Sequence, residues 1–208
     1  MILYLSIIFI AMTFIVIGNI AFNPQPFEYF EVWLMVAVSI AVVAEFVFDG
    51  IFAIIVHSMP AKWYSPDKKC FQVSKRERNF YEKIGIKSWK DKVWELGALG
   101  GFRKNKIKDP NSPEYLRQFL VESNMGIVMH VIGVFVGFAV MFIFPLKYAL
   151  CIGLPVALVN ALLNIMPTMI LRYNVPKLSV AYKRAVRLKE REVSADTENT
   201  AVVENTAV

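Results

Sequence analysis

Cysteine and histidine are nearly absent from this sequence, with two of each in 208 residues. Cys70 sits in a polar stretch and Cys151 in an apolar one. Neither a disulfide framework nor metal-ligand spacing can be built from them, so no metal site is expected. A Walker-type glycine loop is missing, as are a Gly-x-Ser-x-Gly elbow, a His-Glu-x-x-His motif and the His-x-x-x-x-Asp pair of soluble acyltransferases. Those absences set aside P-loop, serine-hydrolase and zinc-protease chemistry. No repeated polar face of the kind that lines a pore is present, which argues against a channel. Basic residues are missing from two places: none precedes the first apolar run, and none occurs in the link NPQPFEYFE. The first absence argues against a cleavable signal peptide.

Apolar residues fill the space. They make up 56% of the chain, and mean hydropathy is +0.47, too hydrophobic for a soluble domain of this length. Four stretches approach the roughly 20 residues needed to cross a bilayer: 2–22, 32–56, 127–144 and 148–171, the third being the shortest. The expected fold is an all-α polytopic membrane protein, with four transmembrane helices as two hairpins and cytoplasmic amphipathic helices between them. Of 23 Lys and Arg, 15 fall within 58–125, seven within 172–191, and only Lys147 lies in the link between helices three and four. By the positive-inside rule both termini and the long loop face the cytosol of a cell membrane, and the +6 charge reflects this topology and attraction to anionic lipids.

The basic loop from Ser58 to Met125 is too long to be featureless. Its segment KRERNFYEKIGIKSWKDKVWELG offers Phe80, Ile84, Trp89 and Val93 to one apolar side, and a surface helix is expected there. Further on, Ser112 and Pro113 have the character of a cap and a first helical residue, opening a helix that runs into helix three. Residues 177–193 read as an interfacial helix that completes a membrane domain of residues 1–193. The remainder, 194–208, carries ENTAV twice and reads as a disordered tail.

Polar residues inside the apolar stretches carry the functional argument. Glu45 and Asp49 share a helical face, with His57 two turns beyond Asp49; Glu122 precedes His130 by eight residues. Asn160 and Asn164 repeat at a four-residue spacing, Pro167 interrupts the helix, and Arg172, Tyr173 and Asn174 form its exit. Such groups face a protein interior or a watery cavity. The plain alternatives are helix-to-helix hydrogen bonding for the asparagines and snorkelling for Arg172. Convergence of His130 with Glu122 and Asp49 points to an imidazole held as a base by a carboxylate.

Three ordered segments, ERNFYEKIGIKSWKDKV, VESNMGIVMH and NIMPTMILRYNVPKL, resemble the glycosyl-4,4'-diaponeurosporenoate acyltransferases, small membrane enzymes that finish staphyloxanthin-type carotenoids. The resemblance covers roughly residues 70–180. Val175 and Lys177 stand where the family pattern has arginine, and Ile127 where it has glutamate. The resemblance implies transfer of a fatty acyl group onto a sugar hydroxyl of a membrane-embedded glycolipid. In that chemistry His130 is the expected base, and Glu122 or Asp49 the carboxylate that orients it. Asn160, Asn164, Arg172, Tyr173, Asn174 and Trp89 are expected around the substrate, with oxyanion donors among Asn164, Arg172 and Asn174. Lys90, Lys92, Arg103 and Lys104 are expected to hold the phosphates of an acyl-CoA co-substrate. No tightly bound cofactor is expected. Membrane lipid is the expected partner and nucleic acid is not. Two competing readings are a non-catalytic membrane scaffold, and the same fold acylating another glycolipid or a lysophospholipid.

Overall fold

A computed structural model describes the backbone of residues 2–26, 28–93 and 109–206, and the side chains of 4–26, 28–93 and 109–194. The order is α1 (Ile2–Phe22), α2 (Phe30–Ser58), two short 3-10 turns, α3 (Lys75–Lys83), α4 (Ile86–Trp89), α5 (Pro113–Val136), a 3-10 segment (Gly137–Ile143), α6 (Leu146–Tyr148), a π-turn (Ala149–Gly153) and α7 (Leu154–Thr206). No strand occurs among the described residues. Four helical stretches are long and apolar enough to cross a membrane: Tyr4–Phe22, Phe30–Ser58, Pro113–Ile143 and Leu146–Ser194.

The helix expected over 127–144 begins at Pro113 instead. Ser112 caps it, its hydroxyl accepting from the Tyr115 amide at 3.1 Å, and Pro113 takes the first position, where a missing N–H costs nothing. The short third stretch thereby gains its missing length from polar residues on its N-terminal side, as the Ser112–Pro113 signal implied. The final helix is likewise longer than expected. It runs unbroken through Pro167 and Pro176, so residues 177–193 continue the membrane helix, and the backbone from 194, expected as a disordered tail, is helical through Thr206.

The loop segment departs from its expected face. Gly85 adopts φ +70, a conformation open to glycine, and breaks the segment into α3 and α4. No single helical period spans the break. Tyr81 and Ile86 are therefore buried, against Tyr173 of α7, whereas Phe80 and Ile84 are exposed.

Four apolar clusters assemble the molecule. Leu34, Val38 and Ala41 of α2 meet Val140, Ile152, Val156 and Ala157. Phe119, Leu120 and Ile127 of α5 meet Leu171, Val175 and Leu178 of α7. The end of α2 joins the loop and α5 through Val56, Tyr64, Phe71, Val121 and Met125. The fourth is the Tyr81, Ile86 and Tyr173 cluster that seats α3 and α4 on α7. Between α5 and α7 the close approaches pair Gly126 with Leu171, Gly133 with Asn164 and Gly137 with Asn160. As one number rises the other falls, so the two helices run antiparallel.

Candidate active site

Pro167 cannot donate a hydrogen bond, so the carbonyl of Leu163, one turn earlier, loses its usual helical partner. The Tyr4 hydroxyl of α1 donates to that carbonyl at 2.7 Å. An unsatisfied carbonyl in hydrocarbon is costly, and here the proline break becomes a docking point for a neighbouring helix. Asn19 fastens the other end of α1, its amide donating to the Cys151 carbonyl in the π-turn at 2.8 Å. Helix α1 is thus held by polar contacts at both ends, to α7 at Tyr4 and to the π-turn before α7 at Asn19, with apolar packing between.

Beside the Tyr4 contact lies a polar cluster contributed by three helices. Asn160 donates to Glu45 Oε2 at 3.0 Å. Asn164 donates through Nδ2 to Asp49 Oδ2 at 3.1 Å and to Asn160 Oδ1 at 3.1 Å. Its Oδ1 stands 3.0 Å from His130 Nδ1. These contacts favour one histidine tautomer. The Asn164 oxygen can only accept, so Nδ1 of the neutral ring carries the proton and Nε2 the lone pair. Asp49, Asn164 and His130 form a chain in which a carboxylate orients an amide and the amide orients an imidazole.

Two glycines let this cluster close. A β-carbon at Gly133 would come within 2.8 Å of Asn164 Oδ1, and one at Gly137 within 2.6 Å of Asn160 Nδ2 and 3.0 Å of Glu45 Oε2. Two glycines four residues apart, Gly133 on α5 and Gly137 at the start of the 3-10 segment that continues it, thus face asparagines four residues apart on α7, the small-residue packing that lets membrane helices approach closely. The matching spacing was present in the sequence, but its partners lie on different helices and only packing reveals them. At about 1.5 Å rise per residue, Asn164 lies about 27 Å beyond the start of α6, near the far rim of a hydrocarbon layer about 30 Å thick.

The cluster opens onto a cleft between α1, α2 and α7. Its polar end includes Tyr4, Glu45, Asp49, Asn160 and Asn164, and its walls include Ile8, Met12, Val42 and Phe46. Glu45 is only 4% exposed. Its Oε1 and the Oδ1 of Asp49 are buried and have no hydrogen-bond partner among the described residues. His130 does not line the cleft itself; it touches Asn164, which does.

The other expected site residues fall elsewhere. Glu122 lies about 12 Å along the helix from His130 at 1.5 Å per residue and makes no hydrogen bond or ion pair among the described residues; the carboxylate joined to His130, through Asn164, is Asp49. Arg172 engages the loop with a forked guanidinium: Nε pairs with Glu77 Oε1, Nη2 donates to Glu77 Oε2 at 2.9 Å, and Nη1 donates to the Cys70 carbonyl at 3.1 Å. The Tyr81 hydroxyl also donates to Glu77, at 2.6 Å. The hydrogen bond from Arg172 holds the Glu77 carboxyl below its usual range, whereas burial, helped by Glu77, pushes the Tyr81 hydroxyl up to about 12. Tyr173 is buried and its hydroxyl donates to Glu82 at 3.3 Å. Asn174 is half-buried without a hydrogen bond among the described residues. Trp89 donates to the Ile84 carbonyl at 3.3 Å, and Lys90 pairs with Asp91 at 2.8 Å. Lys92 is exposed. Arg103 and Lys104 lie outside the described residues. Among the described residues no group of His, Cys, Asp or Glu is arranged to hold a metal ion.

Sequence reasoning noted Glu45 without giving it a role, and it missed Tyr4, Glu77, Gly133 and Gly137. Tyr4 and Glu77 had no local signal, because their partners stand 159 and 95 residues away.

Comparison with curated proteins and comparison with solved structures each found no match. The family model for glycosyl-4,4'-diaponeurosporenoate acyltransferase (CrtO) matches residues 60–184, more than half of the chain. That stretch takes in the α3–α4 segment, all of α5 with His130 and its glycines, and the part of α7 bearing both asparagines and Arg172. With four membrane-compatible helices around a buried polar cluster, the chain belongs to the glycosyl-4,4'-diaponeurosporenoate acyltransferase family.

Proposed function

We propose that this protein transfers a fatty acyl group from an acyl thioester, such as acyl-CoA, to a sugar hydroxyl of a glycosylated carotenoid-like lipid at the cytoplasmic face of the cell membrane. The observation that carries this reading is the Asp49–Asn164–His130 chain, of which Asn164 and His130 fall within the residues the family model matches and Asp49 precedes them. A sugar hydroxyl is a weak nucleophile at neutral pH. His130 Nε2 takes its proton as the hydroxyl oxygen attacks the thioester carbonyl. The tetrahedral intermediate then expels the thiolate, which takes that proton back from the imidazolium, giving the ester and a free thiol. Asp49 acts through Asn164, keeping the ring in the tautomer with a basic Nε2 and favouring the charged ring once it forms.

Asn164 Nδ2 is committed to Asp49 and Asn160, and the Arg172 fork to Glu77. Asn174, the third expected oxyanion donor, stands about 15 Å further along α7 than Asn164 at 1.5 Å per residue, too far to share a carbonyl with His130. Lys90, Lys92, Arg103 and Lys104 are the proposed contacts for the donor's phosphates. Anionic lipids of the inner leaflet are the proposed surroundings of the basic loop.

Lipid and pigment profiling of a deletion strain tests the reaction. The unacylated glycosyl precursor should accumulate and disappear when the gene is restored. His130→Ala should leave a membrane-inserted protein of normal abundance with turnover lowered about 10²- to 10⁴-fold. His130→Gln should not recover it, because an amide still donates to Asn164 but cannot accept a proton. Near-normal turnover in His130→Gln would remove histidine base catalysis and reduce the cluster to helix-locking contacts. A deletion strain with unchanged lipids would refute acyl transfer altogether.

A further inference from the structure

The reaction just proposed gives no role to two buried carboxyl oxygens of the polar cluster. Glu45 Oε1 and Asp49 Oδ1 are buried acceptors without partners, on carboxylates whose other oxygens are taken by Asn160 and Asn164. A buried polar atom left unpaired costs about 1–3 kcal/mol, more when it belongs to a charged group. Helix locking alone explains Oε2 and Oδ2 but leaves Oε1 and Oδ1 unexplained. Both residues line the same cleft, whose walls are apolar. A ligand that satisfies these atoms needs at least two hydrogen-bond donors at one end and an apolar body at the other.

We infer that this cleft is the acceptor subsite, in which Glu45 Oε1 and Asp49 Oδ1 accept hydrogen bonds from hydroxyls of the sugar while the apolar chain lies along α1 and α2. The inference rests on the acyl-transfer reading for the identity of the acceptor, and it makes Glu45 and Asp49 determinants of sugar specificity. A hydroxyl both donates and accepts, so a polyhydroxyl head group can pair with these carboxyl oxygens. A site built to hydrogen-bond hydroxyls discriminates strongly against a ligand lacking them, because the acceptors are then left unpaired. Adjacency is also explained: Asp49 holds the sugar on one oxygen and the Asn164–His130 pair on the other, linking acceptor binding to orientation of the base.

The test is binding, separate from turnover, with the full-length protein in lipid nanodiscs. The probes are glycosyl-4,4'-diaponeurosporenoate and the sugar-free acid. Wild type should bind the glycosyl form at least tenfold more tightly, seen as a ligand-dependent rise in Tm. Glu45→Gln and Asp49→Asn each keep an amide oxygen for Asn160 or Asn164 and turn an NH2 toward the cleft. Each should lose at least tenfold affinity for the glycosyl form with the sugar-free acid unaffected. Mono-deoxy sugar analogues with wild-type protein read the same contacts without any mutation, and removal of a contacted hydroxyl should cost about tenfold. His130→Gln should bind like wild type, so loss of turnover with binding intact leaves the subsite standing, and binding without any transfer activity refutes only the reaction. Equal binding of sugar and acid by wild type, a flat deoxy series, full affinity in Glu45→Gln, or stabilisation by sodium ions with no sugar requirement would each overturn the subsite.

Discussion

At the scale of single residues, the site depends on backbone groups released by proline and on space left by glycine. Tyr4 and Pro167 form one unit: the proline frees the Leu163 carbonyl and the phenol occupies it. Tyr4→Phe should strand that carbonyl and lower stability by about 1 kcal/mol, in the range measured for hydrogen bonds between membrane helices. Pro167→Ala returns a helical N–H to the same carbonyl. The double variant Tyr4→Phe/Pro167→Ala should therefore be less destabilised than Tyr4→Phe alone, as read by denaturant melts in mixed micelles. Additive losses would dissociate the two residues. The sequence named Pro167 as a feature needing explanation; its partner is at the other end of the chain, where no local pattern pointed to it.

At the scale of elements, the Arg172–Glu77 fork joins α7 to α3 just where α7 leaves the apolar region. Snorkelling, the plain expectation for a helix-end arginine, does not describe it, because the guanidinium is taken up by a carboxylate and by loop carbonyls. Lysine has no fork, so Arg172→Lys should loosen the loop, seen as faster proteolysis within residues 60–93. The pH dependence has a definite sign. The Glu77 carboxyl is lowered in the folded protein, so its contribution is complete above the ordinary carboxylate value of about 4.3 and fades as pH falls through the lowered one. Pepsin digestion should accordingly show an increase in loop cleavage below about pH 4, and Glu77→Gln should remove that step. An unchanged acid step in Glu77→Gln would assign it to another group. The division between α3 and α4 has a comparable lesson: the apolar spacing of Phe80 and Ile84 suggested a buried face, but Gly85 ends the helical period and Tyr81 and Ile86 are buried instead.

At the scale of the whole molecule, the uneven distribution of basic residues predicts the topology. Cys70 is exposed in the loop and Cys151 sits in the π-turn at the opposite end of the bundle. In single-cysteine variants of intact cells, an impermeant thiol reagent should leave Cys70 unlabelled until the membrane is opened. Strong labelling of Cys70 in sealed cells would invert the arrangement. The all-α character, the four membrane-compatible stretches and the family were all legible from the sequence, because each rests on local composition or on ordered motifs: apolar length, the Ser112–Pro113 start of α5, the run through His130 and the Arg172–Tyr173–Asn174 exit. The choice of partners was not legible. Glu122 shares a helix with His130 at a plausible spacing, yet Asp49, 81 positions earlier in the sequence, is the carboxylate joined to His130 through Asn164, because small residues at Gly133 and Gly137 let α5 pack close enough to α7 for Asn164 to reach His130 while holding Asp49 of α2. Helix spacing reports only which side chains share a face of one helix, whereas a hydrogen bond across helices depends on how deeply two faces interlock, and only the tertiary packing decides that.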